Sequence, residues 1–290
     1  MTATIIDGKQ LSKTKRNELA VEVEQIIAKG ILPKLVVILV GDSPASLSYI
    51  KGKRKAAEEI GVGFKLEHFP ESFTEQELLE VIEHYNHNDE YHGILVQLPL
   101  PVHINETAIV EKISPLKDVD GFHPVNIGRM MTGQETFLPC TPAGIIEMIK
   151  SVGVEIAGKN VVVVGRSNIV GKPVGQLLLN EHATVTYCHS RTKNLSSFTR
   201  EADILVAAVG RANFIKGDDV KPGAVVIDVG VNRLDSGKLC GDVAFDEAKE
   251  IASFITPVPG GVGPMTITML ATNTVLSAKQ FLANNPAIKS

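Results

Sequence analysis

The sequence predicts an α/β fold built as two blocks, each with strands and helices in alternation. Three observations predict it. Short apolar runs alternate with stretches of helical period along most of the chain. The length of 290 residues exceeds what one hydrophobic core usually serves. The four valines at 161–164 close in Gly165-Arg166-Ser167-Asn168-Ile169-Val170-Gly171-Lys172-Pro173-Val174-Gly175, which reads as a buried strand, a turn and the start of a helix.

Taken in order, the pattern predicts a helix over 10–29, a strand over 35–40, a helix over 45–60, a strand over 64–69, a helix over 75–86 and a strand over 93–97. Loops rich in proline and charge follow over 99–141, and Pro142 suits the first turn of a linking helix that ends near 151. The second block has strands at 161–164, 184–187, 204–209 and 225–229, with connections long enough for parallel crossovers. A last helix over 265–282 can return to the first block. The expected domains are therefore 1–141 together with 265–290, and 142–264.

The turn after the four valines suits an anion, because glycines admit close backbone approach and a helix N-terminus offers amide donors and partial positive charge. Its glycines, Gly165, Gly171 and Gly175, depart from G-x-G-x-x-G, so a tight strand-to-helix connection without a ligand stays open. About twenty residues on, where an NAD-binding domain places a carboxylate for the ribose, the chain reads Cys188-His189-Ser190-Arg191-Thr192. Hydroxyls and an arginine there, with Arg166 in the first turn, favour a phosphorylated ribose and hence NADP. Either arginine can equally be an exposed loop residue.

A net charge of −4 and a pI near 6.1 argue against nucleic acid or an anionic membrane as the main partner. A hydrophobic content of 44% fits a globular protein. No apolar run approaches the roughly 18 residues needed to span a bilayer, and the N-terminus lacks a signal-peptide pattern, so the cytoplasm is the expected location. The three cysteines, Cys140, Cys188 and Cys240, are too far apart for a zinc site and read as reduced thiols. His84 and His87 have no obvious third ligand, so no metal is expected.

In the second predicted helix, Tyr49, Lys53, Ala56, Ala57 and Ile60 share one face. An ammonium among apolar side chains is disfavoured in its charged form, which suits proton transfer; the alternative is a lysine that carries its head out to water. Gln97 ends a buried strand, at the edge where open α/β sheets bind ligands. Lys117-Asp118-Val119-Asp120-Gly121 is a turn with two carboxylates that serve a ligand or their own backbone. Prolines and glycines at 257–264 give a stiff connector with room for close approach.

Together these segments resemble the bifunctional methylenetetrahydrofolate dehydrogenase/methenyltetrahydrofolate cyclohydrolases over nearly the whole chain. The resemblance rests on Tyr49-Ile50-Lys51-Gly52-Lys53-Arg54-Lys55-Ala56-Ala57, the segments 93–101 and 117–121, Gly165-Arg166-Ser167 with Ile169-Val170-Gly171, and 257–266. It implies an N-terminal α/β substrate domain and a Rossmann-like NADP-binding domain with a cleft between them, tetrahydrofolate substrates and a homodimer. By the same resemblance Lys53 is catalytic, Tyr49 stacks on the folate, Gln97 contacts the lysine, and Asp120 meets the pterin. Gly165, Arg166, Ser167, Ser190 and Val231 surround the cofactor, to which the charge argument adds Arg191. A dehydrogenase lacking the hydrolase, or a non-catalytic NADP sensor, shares part of this pattern.

Overall fold

The computed structural model describes residues 2–285. The chain opens with β1 (Thr4–Ile5) and α1 (Gly8–Ile27), then runs β2 (Lys34–Val40), α2 (Pro44–Glu59), β3 (Gly63–Phe69), α3 (Glu75–His87) and β4 (Gly93–Val96). Two short helices follow, α4 (Glu106–Lys112) and α5 (Pro124–Met131), and then α6 (Cys140–Ser151). The remainder is β5 (Asn160–Val164), α7 (Gly171–Asn180), β6 (Thr184–Cys188), α8 (Leu195–Thr199), β7 (Ile204–Ala207), β8 (Val225–Asp228), the pair β9 (Asn232–Arg233) and β10 (Leu239–Cys240), α9 (Phe245–Ala248), β11 (Phe254–Ile255) and α10 (Val262–Asn284).

The chain divides into two compact units. One holds residues 2–13 with 139–266; the other holds 14–138 with 267–285. Residues 2–13 therefore do not join the block that follows them, contrary to the expected domain 1–141. Thr4 and Ile5 pair in parallel with Phe254 and Ile255, and the Ile6 amide donates to the Ile255 carbonyl. A two-residue strand carries no period of its own, so this long-range pairing left no local signal. The division falls within α1 and within α10.

The smaller sheet has the order β3-β2-β4, all parallel, with Val37 opposite both Leu66 and Leu95. β2 reads Lys-Leu-Val-Val-Ile-Leu-Val and is buried from Leu35 to Val40, as expected of a central strand covered on both faces. Helix α3 seals one face through Leu78, Ile82 and Tyr85, joined by Ile109 of α4. A reciprocal capping box starts α3, in which the Thr74 hydroxyl oxygen accepts from the Glu77 amide and Glu77 reaches back to Thr74.

The segment predicted as loop over 99–141 contains two helices. Asn105 starts α4 by accepting from the Thr107 and Ala108 amides, and His123 starts α5 by accepting from the Val125 amide ahead of Pro124 at N1. These caps outweigh the surrounding prolines and charges.

The larger sheet has the order β1-β11-β8-β7-β5-β6, and every pairing in it is parallel. From β5 the chain goes outward to β6 and then returns to the other side of β5 as β7. The strands β5, β6, β7, β8 and β11 thus lie in the spatial order 2-1-3-4-5, with a topological switch between β5 and β7. Val161 to Val164 are essentially without exposure, and Val162 and Val164 pack in one cluster with Leu205, Ala207 and Val226.

Candidate active site and nucleotide edge

The smaller sheet also switches direction, between β2 and β4, so its ligand crevice is expected outside the C-terminal ends of these strands. Two side chains meet there. Lys53, on α2 directly after β2, is 9% exposed, and its Nζ donates to Gln97 Oε1 at 2.8 Å. Gln97 follows β4, and its Nε2 donates to the Leu98 carbonyl at 2.8 Å, which fixes the amide with its oxygen toward the lysine. Lys53 is buried with Ser46, Ile50, Ala56 and Ala57, so its side chain lies on the covered face of the helix.

Tyr49 departs from that face. It is 41% exposed although it lies one turn before Lys53, because the covered face near the start of α2 is taken by Ser46 and Ile50. The ring is an open surface rather than a core aromatic.

The two carboxylates of the 117–121 turn have separate positions. Asp118 is 2% exposed and accepts from the Gly121 amide (3.2 Å), the His123 amide (2.8 Å) and Asn126 Nδ2 (2.8 Å). It shapes the turn. Lys117 anchors the other side by donating to the Tyr85 and Asn88 carbonyls at 2.9 and 2.8 Å, near the end of α3. Asp120 is half-buried. A parallel bridge between Ile94 and Asp118 carries the turn along β4, so Asp120 follows toward the same C-terminal edge as Gln97. Asn273 of α10 donates to the Val119 and Leu138 carbonyls, both at 2.9 Å, and braces the turn from behind. Asp118 takes the reading in which a turn carboxylate serves its own backbone, whereas Lys117 and Asn273 escaped sequence reasoning as supports because their partners are backbone groups distant along the chain.

At the switch of the larger sheet, Gly165 has φ +139 and lies against the Ala208 carbonyl, which any side chain at 165 would strike. The other two glycines also serve the protein's own packing: Gly171 lies on the turn backbone and Gly175 on the Tyr187 phenol, whose hydroxyl donates to the Lys172 carbonyl at 2.9 Å. The helix start differs from the expectation of free amide donors. Ser167 Oγ accepts from the Val170 and Gly171 amides at 3.2 Å each, and the Ser167 carbonyl accepts from the Lys172 amide at 3.0 Å. Those donors are occupied, so the Ser167 hydroxyl hydrogen and the exposed turn before it are what a phosphate can reach.

Arg166, Ser167, Ser190 and Arg191 are all exposed around this edge, and Val231 is 54% exposed on the loop after β8. The His189 turn is held by its amide donating to Thr192 Oγ1 at 2.8 Å and by the Arg191 amide donating to His189 Nδ1 at 3.1 Å. Between residues 161 and 200 the single acidic residue is Glu181, which is paired with Lys150 at 2.6 Å. The turns after β5 and β6 therefore carry cations and hydroxyls without a carboxylate, and they fit a nucleotide bearing an extra phosphate. Cys140, Cys188 and Cys240 are free thiols. No helix among the described residues is long and apolar enough to cross a membrane.

A parallel nucleotide-type sheet with a glycine turn at its switch, in a chain whose other unit buries a lysine against a glutamine, defines a two-domain α/β enzyme with a dinucleotide cofactor. The particular family follows from comparison with known proteins. The family model for the tetrahydrofolate dehydrogenase/cyclohydrolase catalytic domain matches residues 6–120, and that for its NAD(P)-binding domain matches 139–282. The chain belongs to this family. It is 70% identical over 280 residues to the bifunctional protein FolD of Bacillus licheniformis, covering 97% of this chain and 99% of that protein. Among solved structures, the bifunctional FolD methylenetetrahydrofolate dehydrogenase/cyclohydrolase of Campylobacter jejuni is 52% identical with a TM-score of 0.95, covering 96% of this chain and 99% of that one. The Trypanosoma brucei N5,N10-methylenetetrahydrofolate dehydrogenase-cyclohydrolase, solved with NADP cofactor and inhibitor, is 40% identical with a TM-score of 0.93, covering 97% and 98%.

Proposed function

We propose that Lys53, Gln97, Tyr49 and Asp120 form the reacting centre of a bifunctional folate enzyme, and that Gly165, Arg166, Ser167, Ser190, Arg191 and Val231 receive its cofactor. The chain is an NADP-dependent methylenetetrahydrofolate dehydrogenase and methenyltetrahydrofolate cyclohydrolase. The observation that carries the reading is the buried Lys53 amine bonded to Gln97.

NADP, when bound, accepts the hydride that leaves the methylene carbon of 5,10-methylenetetrahydrofolate. The resulting methenyl carbon is electron-poor and needs no metal to be attacked. Lys53 in its neutral form takes a proton from the attacking water while the oxygen bonds to that carbon. The hydroxyl formed on that carbon then gives up its remaining proton as the C=O bond forms and the N5–carbon bond breaks, N5 takes up a proton, and 10-formyltetrahydrofolate is released. Gln97 Oε1 holds the amine in place through both states, since it accepts from a neutral amine and from an ammonium alike. The exposed Tyr49 ring offers a stacking face for a flat substrate, and Asp120 offers an acceptor for pterin N–H donors.

The fold of the cofactor unit matches this use, with the glycine turn at its sheet switch and cations in place of a ribose-binding carboxylate. By the same family reading the protein works in the cytoplasm as a homodimer, with neither nucleic acid nor membrane as partner. The deciding assay supplies methylenetetrahydrofolate and NADP and follows reduced cofactor and methenyl intermediate together. Accumulation of the intermediate at the rate of cofactor reduction, without hydrolysis above the spontaneous rate, rejects the second activity.

A further inference from the structure

Two buried carboxylates in the nucleotide-binding unit take no part in the chemistry above. Asp228 ends β8 and is 3% exposed; Asp242 lies after β10 and is 0% exposed. Among the described residues neither is in a salt bridge. Asp242 Oδ2 accepts from the Val209 and Gly210 amides at 2.6 and 2.9 Å, while its Oδ1 accepts from the Arg211 amide at 2.8 Å and from Asn232 Nδ2 at 2.9 Å. Three successive backbone amides thus enclose one carboxylate, as in an anion nest. Asp228 braces the arrangement. Its Oδ1 accepts from the Gly230 and Asp242 amides at 3.0 and 2.8 Å, and its Oδ2 accepts from the Val243 amide at 2.9 Å.

The chain is shaped around both groups. A side chain at Gly230 would strike the Asp242 carboxylate, and one at Gly241 would strike that of Asp228. Burial is costly to such groups: it pushes the Asp228 carboxyl up to about 7 against the pull of its three amides. What this cost secures is two loops. Residues 209–211 leave β7 next to Ala208, whose carbonyl lies against Gly165, and residues 230–232 leave β8 and carry Val231. Both loops sit at the C-terminal edge where an open sheet binds its ligand. Because carbonyl and amide point in opposite directions across a trans peptide, amides turned toward Asp242 turn the carbonyls of Ala208, Val209 and Gly210 away from it, as a row of acceptors.

We propose that Asp242, braced by Asp228, is a positioning residue for the cofactor: it holds the loops after β7 and β8 in the form that receives NADP. This rests on the assignment of Gly165–Ser167 and Val231 to the cofactor edge. It places the carboxylate behind the loops, with no direct contact to the nucleotide.

The test uses Asn232→Ala, which removes one bond of the network, and Asp242→Asn, which keeps the shape but turns one acceptor into a donor facing amide donors. Arg166→Ala serves as the reference for the edge itself. The measurements are the NADP Kd, KM and kcat for the dehydrogenase, hydrolysis of methenyltetrahydrofolate without NADP, and Tm. Losing a hydrogen bond to a buried charge predicts a roughly tenfold or larger rise in Kd and KM for NADP, with kcat at saturation and hydrolysis unchanged. Asn232→Ala keeps the test decisive if Asp242→Asn does not fold. Normal NADP affinity in the folded network variants while Arg166→Ala weakens binding overturns the positioning role, as does a parallel fall of both activities with Tm. Normal NADP affinity in all three variants removes the edge assignment and the proposal with it.

Discussion

Lys53 Nζ stands 2.8 Å from Gln97 Oε1, joining helix α2 to the end of strand β4. Lys53→Met keeps roughly the same volume and removes the proton acceptor, so hydrolysis of supplied methenyltetrahydrofolate should fall to the spontaneous rate with NADP binding retained. Gln97→Glu sharpens the prediction. A carboxylate at that distance favours the charged amine, so hydrolysis should drop at neutral pH and recover partly as pH rises. Near wild-type hydrolysis in Lys53→Met would remove the lysine from the mechanism.

The cofactor edge predicts a preference for NADP over NAD. Arg166 and Arg191 are exposed in turns that lack a carboxylate, so Arg166→Ala or Arg191→Ala should weaken NADP much more than NAD, by roughly tenfold for one charged hydrogen-bonding partner. Steady-state KM values with each cofactor decide this. Equal wild-type use of the two cofactors contradicts it.

The legible parts of this molecule are those written in local periodicity. The central strands β2 and β5 announce themselves as apolar runs, and the place of Lys53 on the apolar face of α2 follows from the spacing Lys53, Ala56, Ala57, Ile60, although that spacing equally allowed a head carried out to water. Strands β1 and β11 are two residues each and exist through pairing across the whole chain, so no window could display them. Helices α4 and α5 hid among prolines and charges, although Asn105 ahead of Glu106 and His123 ahead of Pro124 are readable start signals. The exposure of Tyr49 depended on which residues cover the first turn of α2. Gln97 beside Lys53 came from family resemblance, because a contact between residues 44 apart is invisible to spacing. The roles of Asp228 and Asp242 lie in bonds to distant amides for the same reason.

Ser167 carries two tasks that one substitution separates. Its oxygen accepts two amides at the start of α7, and its hydroxyl hydrogen remains to donate. Ser167→Ala removes both, and losing these hydrogen bonds to the turn predicts about 1 kcal/mol of destabilisation. Ser167→Asp restores an acceptor for the amides but presents negative charge to the edge. The expected outcome is stability near wild type for Ser167→Asp with NADP affinity lower than in Ser167→Ala, read from denaturation and equilibrium binding. Equal NADP affinity in the two variants would detach Ser167 from the phosphate.

His92 predicts an acid limit to stability. It is 4% exposed, with Nδ1 accepting from the Lys34 amide at 3.2 Å, the ring edge-on to Phe281, and Nε2 without a hydrogen-bond partner among the described residues. Burial foremost, then the charges of Lys117 and Lys34, push its pKa down to about 4, with Asp89 opposing. A histidine held neutral in the folded state contributes stability that is fully present above the unfolded pKa of 6.5 and lost as pH falls through the folded value near 4. Within that window the unfolded chain binds more protons, so stability rises with pH. The shift corresponds to roughly 3 kcal/mol by the usual conversion. Denaturant unfolding from pH 7.5 down to about 4 should show a loss of that order in the wild type relative to His92→Gln, which is less stable at neutral pH but flatter. Parallel stability curves for the two proteins would exclude His92 as the titrating group.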